Sequence, residues 1–281
     1  MDRKKTTLGE MLAKAARGEK LTMITAVDYP TALLADRAGV DMILVGDSLG
    51  MTALGYESTV PVTMDDMVHH CRAVVRGTRG AFVVADLPFG SYHTGVEEAL
   101  RNAVRLVKDG GADCVKLEGG QTMAGVVRRI VEAGIPVCAH IGLTPQTSTM
   151  LGGMKVQGKD VAAARRLVED AIAVEAAGAF AVVIEAVPDK LATLISERLA
   201  IPTIGIGAGA SCDGQVLVMH DLVGLFDRFT PKFAKRYVEA GKLIEGAISN
   251  WRQDVAAGAF PAPEHTFSIK DEVIAELRKN G

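Results

Sequence analysis

The chain has 281 residues, 48% hydrophobic and 23% charged, with a formal net charge of -3. That length buries one large core, enough for one α/β barrel or two small domains. The charge balance leaves no electrostatic footprint for nucleic acid or an anionic membrane, and no apolar run is long enough to span a bilayer.

The basic start, Arg3-Lys4-Lys5, leads into polar residues and does not read as a signal peptide. From there a helical pattern, a Gly stop and a β-rich run recur. The β runs fall near 21–26, 41–46, 81–86, 113–118, 136–140, 180–185, 202–206 and 216–219. Ala38-Gly39, Gly110-Gly111, Ala133-Gly134 and Ala177-Gly178 are helix stops, since Gly adopts the left-handed terminating conformation without strain. One helix opens at Thr63, with Asp65 and Asp66 in its first turn and Met67, Val68, Cys71, Val74 and Val75 along one face. The next carries a stripe of Val96, Leu100, Val104 and Val107, announced by Thr94 and Glu97 as a capping box.

Eight strands alternating with helices predict an α/β protein, a single-domain (β/α)8 TIM barrel. An open doubly wound sheet is the alternative, because the last strand shows the least pattern. No linker or composition break divides the chain, so one barrel domain is expected over 1–281, with a helical and extended appendage from about residue 230. There Phe233–Ile248 reads as helix, and Ala259–Phe267 as an extended arm that packs on the barrel or on a neighbouring subunit.

Four of the β runs end on a carboxylate: Asp47, Asp86, Glu118 and Glu185. Continuous apolar runs are buried parallel strands, and in barrels their C-terminal ends carry the chemistry. Asp47, with Ser48 beside it, and Asp86 follow neighbouring strands; two such carboxylates plus waters suit Mg²⁺, whereas each alone would read as a helix cap. Lys116 and Glu118 alternate along one strand and share a face. An inward Lys can hold a substrate carboxylate, form a Schiff base, or pair with the Glu. His140 ends the fifth strand on the same rim, while His69, His70, His93, His220 and His265 read as structural.

Gly205-Ile-Gly-Ala-Gly209-Ala210 matches the G-x-G-x-x-A pattern, but it follows the seventh strand with no helix opening after it. It therefore reads as a rim loop rather than a dinucleotide site. The glycine-rich stretch 142–158 reads as a mobile lid. Cys71, Cys114, Cys138 and Cys212 form no CxxC or zinc spacing and read as buried reduced thiols, with a cytoplasmic location as the default.

A longer set of segments occurs in order. It comprises Thr25-Ala-Val-Asp-Tyr-Pro30, Val45-Gly-Asp-Ser-Leu-Gly-Met51, Ala85-Asp-Leu-Pro-Phe89, Val115-Lys-Leu-Glu-Gly-Gly120, His140-Ile-Gly-Leu-Thr-Pro-Gln146, Gly153–Gly158, Ile184-Glu-Ala186, Ile204–Gly209 and Pro231-Lys-Phe233. In these the chain resembles the ketopantoate hydroxymethyltransferase family. The resemblance implies transfer of a hydroxymethyl group from 5,10-methylenetetrahydrofolate to 3-methyl-2-oxobutanoate, through a Mg-stabilised enolate. The product is 2-dehydropantoate (ketopantoate), on the way to pantothenate and coenzyme A.

The resemblance also implies roles. Asp47 and Asp86 would hold Mg²⁺ and, through it, the substrate, with Glu118 completing or hydrogen-bonding the metal shell. Ser48 and Lys116 would contact substrate, His140 would line the pocket, and Glu185 would accept the proton. It implies a homo-oligomer, a decamer in the family, with small-molecule substrates and neither nucleic acid nor membrane as partner. Val27 and Met154 depart from the family pattern, at positions where Tyr and an aromatic residue are common. Two rival readings are another metal-enolate barrel, a lyase or aldolase working without folate, and a non-catalytic barrel that stores or senses a metal or a 2-oxo acid.

Overall fold

A computed structural model describes residues 4–279; Arg3 of the basic start lies outside them. The eight strands are β1 (Leu21–Thr25), β2 (Met42–Val45), β3 (Phe82–Asp86), β4 (Cys114–Glu118), β5 (Val137–Gly142), β6 (Ala181–Glu185), β7 (Thr203–Ile206) and β8 (Gly214–Leu217). They pair in parallel in chain order, and β8 returns to β1, with Leu21 opposite Gly214 and Ile24 opposite Leu217. The barrel is closed, which removes the open-sheet alternative.

The strands read as continuous apolar runs because both of their faces are covered. Inside the barrel, Met23, Leu44, Val84, Cys114, Cys138, Val183 and Ile204 pack on one another, and Met11 from the helix Leu8–Ala16 joins them. Outside, residues such as Ile43, Val83, Val115, Ala139 and Val182 pack against the helices. All four cysteines are free and buried.

The helix Met64–Gly77 forms as its sequence predicts. Thr63 accepts a hydrogen bond from the Asp66 N–H, and Met67, Val68, Cys71 and Val74 are buried. The helix Val96–Lys108 departs from expectation twice. Gly95 is its N-cap and makes no side-chain cap, so Thr94 does not cap it. The buried face is Ala99, Asn102, Ala103 and Leu106, while Val96 and Val104 are exposed. Two alanines let this helix approach closely, and Asn102 tolerates burial because its Nδ2 donates to the Ser91 carbonyl at 2.7 Å. The predicted glycine stops hold, with Gly39, Gly111, Gly134 and Gly178 at φ values of 86°, 83°, 87° and 97°.

Around the N-terminal end of the barrel, carboxylates tie neighbouring strands together. Asp41 accepts the Thr22 N–H at 2.8 Å, Asp113 the Val83 N–H at 2.7 Å, and Asp213 the Thr203 N–H at 2.8 Å. Lys14 pairs with Asp41 at 2.7 Å and Lys5 with Asp113 at 2.5 Å.

The chain divides into two compact units. The first runs up to Leu222 and includes Phe226–Lys235; the second is Val223–Leu225 with the residues from Arg236 on. In the second unit the helix runs Ala240–Ala256, not Phe233–Ile248. Phe233 belongs to the first unit, where its ring packs so closely on Gly207 that a Cβ there would lie 2.6 Å away. The following arm holds a short helical turn, Pro263–His265. Among the described residues no helix is long and apolar enough to cross a membrane.

Candidate active site

The C-terminal ends of the strands open on a cavity of about 360 Å³. Asp47, Ser48, Asp86, Lys116, Glu118, His140 and Glu185 all line it. Pairing of β2 with β3, β3 with β4, and β4 with β5 sets them side by side, with Asp86 opposite Lys116 and Glu118 opposite His140. Asp47, Asp86, Lys116, Glu118 and His140 are each between 2% and 5% exposed, so their charges interact with little help from water.

The pairings are specific. Lys116 Nζ donates to Asp86 Oδ1 at 2.7 Å, and Asp86 Oδ2 accepts the Asp47 backbone N–H at 3.1 Å. Glu118 Oε2 accepts the Gln146 N–H at 3.1 Å, and Glu118 Oε1 lies 3.6 Å from His140 Nδ1. His140 Nε2 is 3.3 Å from Glu185 Oε2. Neither contact meets hydrogen-bond geometry, the first being too long, so both ring nitrogens of a buried imidazole lack a hydrogen-bond partner in the protein. Glu185 has the most exposed side chain of the four acids, at 13%.

One ammonium does not balance this many buried carboxylates. Burial, then the charge of Asp86, pushes the Asp47 carboxyl up to about 7, against the pull of Lys116 and Gln146. Burial also drives Glu118 well above the usual carboxylate range; Lys116 opposes this, while Asp47 and Asp86 add to it. For Lys116, burial works against the charge, but Asp86, Glu118 and Asp47 outweigh it and hold the ammonium above its ordinary value. Burial, helped by Lys116, lowers His140 and keeps its imidazole neutral at pH 7.

Two residues to which the sequence pattern assigns no role complete the arrangement. Gln146 Nε2 donates to Asp47 Oδ2 at 2.8 Å and to the Leu87 carbonyl at 3.0 Å. Its Oε1 accepts from the Tyr92 hydroxyl at 2.6 Å, and that hydroxyl oxygen accepts the Glu118 N–H at 3.2 Å. Gln146 thus fixes both Asp47 and Glu118. Its sequence signals were its place just after Pro145 in a glycine-rich loop and at the end of the family segment His140–Gln146. The turn Pro145–Thr147 is therefore anchored at the cavity, while Met154, Lys155 and Val156 line the mouth. Gly142, at φ 95°, turns the chain where a Cβ would strike the Glu185 carbonyl, and Leu143 N–H donates to that carbonyl at 2.8 Å.

Other sequence candidates stand apart. His70 Nδ1 contacts the Val27 carbonyl at 2.5 Å, a structural role. Gly205–Ala210 spans the end of β7 and its link to β8, with no helix opening after it. Among the described residues, no group of three or more His, Cys, Asp or Glu side chains is spaced to enclose a metal ion. Here Glu118 is tied to Gln146 instead.

A closed parallel barrel with an ammonium, an imidazole and several carboxylates gathered at its C-terminal end defines a (β/α)8-barrel enzyme. The chain has the same fold as a 2,3-dimethylmalate lyase described as a member of the PEP mutase/isocitrate lyase superfamily. That match has a TM-score of 0.60 and 15% identity, over 98% of this chain and 99% of the other. Sequence comparison is more specific. The family model for ketopantoate hydroxymethyltransferase matches residues 5–263. A 3-methyl-2-oxobutanoate hydroxymethyltransferase of Moorella thermoacetica is 58% identical over 265 residues, 94% of this chain and 98% of that protein. One of Heliobacterium modesticaldum is 56% identical over 270 residues, 96% of this chain and 98% of that protein. The chain belongs to the ketopantoate hydroxymethyltransferase family.

Proposed function

We propose that this protein transfers a hydroxymethyl group from 5,10-methylenetetrahydrofolate to 3-methyl-2-oxobutanoate, forming 2-dehydropantoate. The observation that carries the reading is nearly full-length identity to relatives of that name, with all seven sequence-derived site residues lining one cavity. The chemistry requires removal of a weakly acidic proton at C3 of the 2-oxo acid, attack of that carbon on the carrier-bound methylene carbon, and replacement of the carrier nitrogen by water, which gives the hydroxyl and releases tetrahydrofolate. The reactivity of the one-carbon unit belongs to its carrier.

The residues divide the work. Lys116, held charged by its carboxylate neighbours, offers a fixed cation for the substrate carboxylate. Ser48 and the neutral His140 line the same space, and neither His140 nitrogen has a hydrogen-bond partner in the protein. Glu185 is the least buried acid, beside His140, and accepts the C3 proton. Gln146 and Tyr92 keep the acids in place while this occurs.

The donor set fits Mg²⁺, which takes one or two carboxylates and keeps several waters. Asp47 and Asp86 sit on adjacent strand ends, and the raised pKa of Asp47 marks negative charge that a cation would relieve. Asp47 and Asp86 would hold the ion, with Glu118 completing or hydrogen-bonding its shell. When bound it supplies positive charge that polarises a 2-oxo acid and makes C3 more acidic.

Two broader points belong to the same reading. The helix Ala240–Ala256 exposes Leu243, Ile244, Ile248 and Trp251, which supports a homo-oligomer that covers them. Four free buried cysteines support a reducing, cytoplasmic location.

The test is exchange of the C3 proton of 3-methyl-2-oxobutanoate with deuterated water, followed by NMR with Mg²⁺ and no donor. Exchange is expected, and product formation only on adding methylenetetrahydrofolate. Cleavage of a 2-oxo acid without the donor would favour the lyase or aldolase reading instead.

A further inference from the structure

A second concavity adjoins the catalytic cavity. It is an open groove of about 410 Å³. Met51, Phe226 and Phe229 line both, so the groove lies directly beside the cavity. Tyr56, Glu57 and Arg228 line only the groove. Arg228 Nη1 donates to the carbonyls of Gly55 at 3.1 Å and Tyr56 at 3.3 Å, which ties together the two loops that form it. Tyr56 and Phe229 leave 38% and 60% of their surface exposed, so aromatic area is available next to the site.

We propose that this groove seats the carrier of the one-carbon unit, with its reduced pterin against Tyr56 and Phe229 and its amidine edge on the Glu57 carboxylate. The proposal rests on the donor reading given above. Size is the first argument. The charged strand-end groups occupy one part of the cavity and suit a short branched 2-oxo acid there. A pterin with an arylamine and a glutamate tail needs further space beside the reacting carbon, and the adjoining groove offers it.

Chemistry is the second. Pterin rings are flat and polarisable and gain from aromatic faces. Their N3–H and 2-amino group form a two-pronged donor edge that matches a carboxylate, as a guanidinium does. Met51, at the junction, has an unbranched thioether that adapts its shape to a ring on one side and an oxo acid on the other. The methylene carbon would meet C3 at this junction while still bound to the carrier: the new C–C bond forms as one C–N bond opens, and water then displaces the remaining carrier nitrogen, giving the hydroxymethyl group and tetrahydrofolate.

Glu57→Gln and Tyr56→Leu test this, because neither residue lines the catalytic cavity. Tetrahydrofolate binding is measured by calorimetry on the Mg²⁺-loaded protein, and C3 exchange of 3-methyl-2-oxobutanoate is measured without donor. Each variant is expected to weaken tetrahydrofolate binding about five- to tenfold, the scale of one aromatic or charge-assisted contact. C3 exchange should stay at the parent rate, which also shows that the fold is intact. Unchanged tetrahydrofolate affinity in both variants overturns the groove assignment and leaves the donor reading standing. A parent protein that exchanges C3 yet binds no tetrahydrofolate overturns the donor reading, and the groove assignment with it.

Discussion

The two ends of the barrel carry similar numbers of carboxylates and treat them oppositely. At the N-terminal end, Asp41 accepts the Thr22 N–H and hydroxyl and the Lys14 ammonium. Burial there works against the charge, but Lys14 and Thr22 outweigh it and hold the Asp41 carboxyl below its ordinary value. At the C-terminal end, Asp47 is more deeply enclosed, faces Asp86, and is pushed up to about 7. The first end spends its acids on strand ends and so on stability. The second concentrates negative charge around one Lys, at a cost in stability that the proposed cation would relieve.

The largest effect should come from breaking the crowded end at its centre. Asp86→Asn keeps the shape but removes the partner of Lys116 and one of two proposed metal carboxylates. Turnover should nearly vanish and Mn²⁺ affinity, read by EPR titration, should fall. Near-normal values for both would put the metal elsewhere.

Glu185→Gln comes next. It should still bind Mg²⁺ and 3-methyl-2-oxobutanoate, yet exchange the C3 proton at least about 100-fold more slowly, as expected for loss of a general base. Unchanged exchange would move the base to another group, with His140 next in line.

Gln146→Leu probes the support behind the acids. It removes the donor to Asp47 and the acceptor for Tyr92 while keeping the backbone N–H to Glu118. A loss of about 10- to 100-fold in kcat/KM or metal affinity is expected for such a supporting contact. Recovery in Gln146→Glu, which keeps the acceptor but not the donor, would show that Tyr92 rather than Asp47 is what Gln146 positions.

The smallest effect is on stability, and it has opposite signs at the two ends. A carboxyl raised in the folded state binds more protons there than in the unfolded chain, so its contribution falls as pH rises from about 4 to about 7. In chelator, Asp47→Asn should therefore raise Tm by a few degrees at pH 8 and by little at pH 4. Asp41, whose pKa is lowered, contributes stability above its unfolded value that is lost as pH falls through the folded one. Asp41→Asn should lower Tm at pH 8 and approach the parent in acid. Equal signs for the two variants in thermal melts would erase the contrast between the ends.

Much of this was legible in the chain because it is local. A continuous apolar run closed by an acid announces a buried strand, and this located Asp47, Asp86, Glu118 and Glu185 at the barrel end where one cavity opens. The glycine stops and the Thr63 cap depend only on near neighbours, and they formed as read. The buried face of Val96–Lys108 was misread because hydrophobicity favours Val96 and Val104, while close packing favoured Ala99 and Ala103. The start of the C-terminal helix was misplaced because Phe233 is held by Gly207 of the first unit. The bonds of Gln146 to Tyr92 and Asp47 span 54 and 99 positions, so no period or spacing could announce them. The sequence by itself determined the barrel class, the acids at the strand ends and the family. Tertiary structure alone decided which helix face is buried, which carboxylates lose water together, and which residue holds them, because packing and desolvation depend on neighbours far apart in the chain.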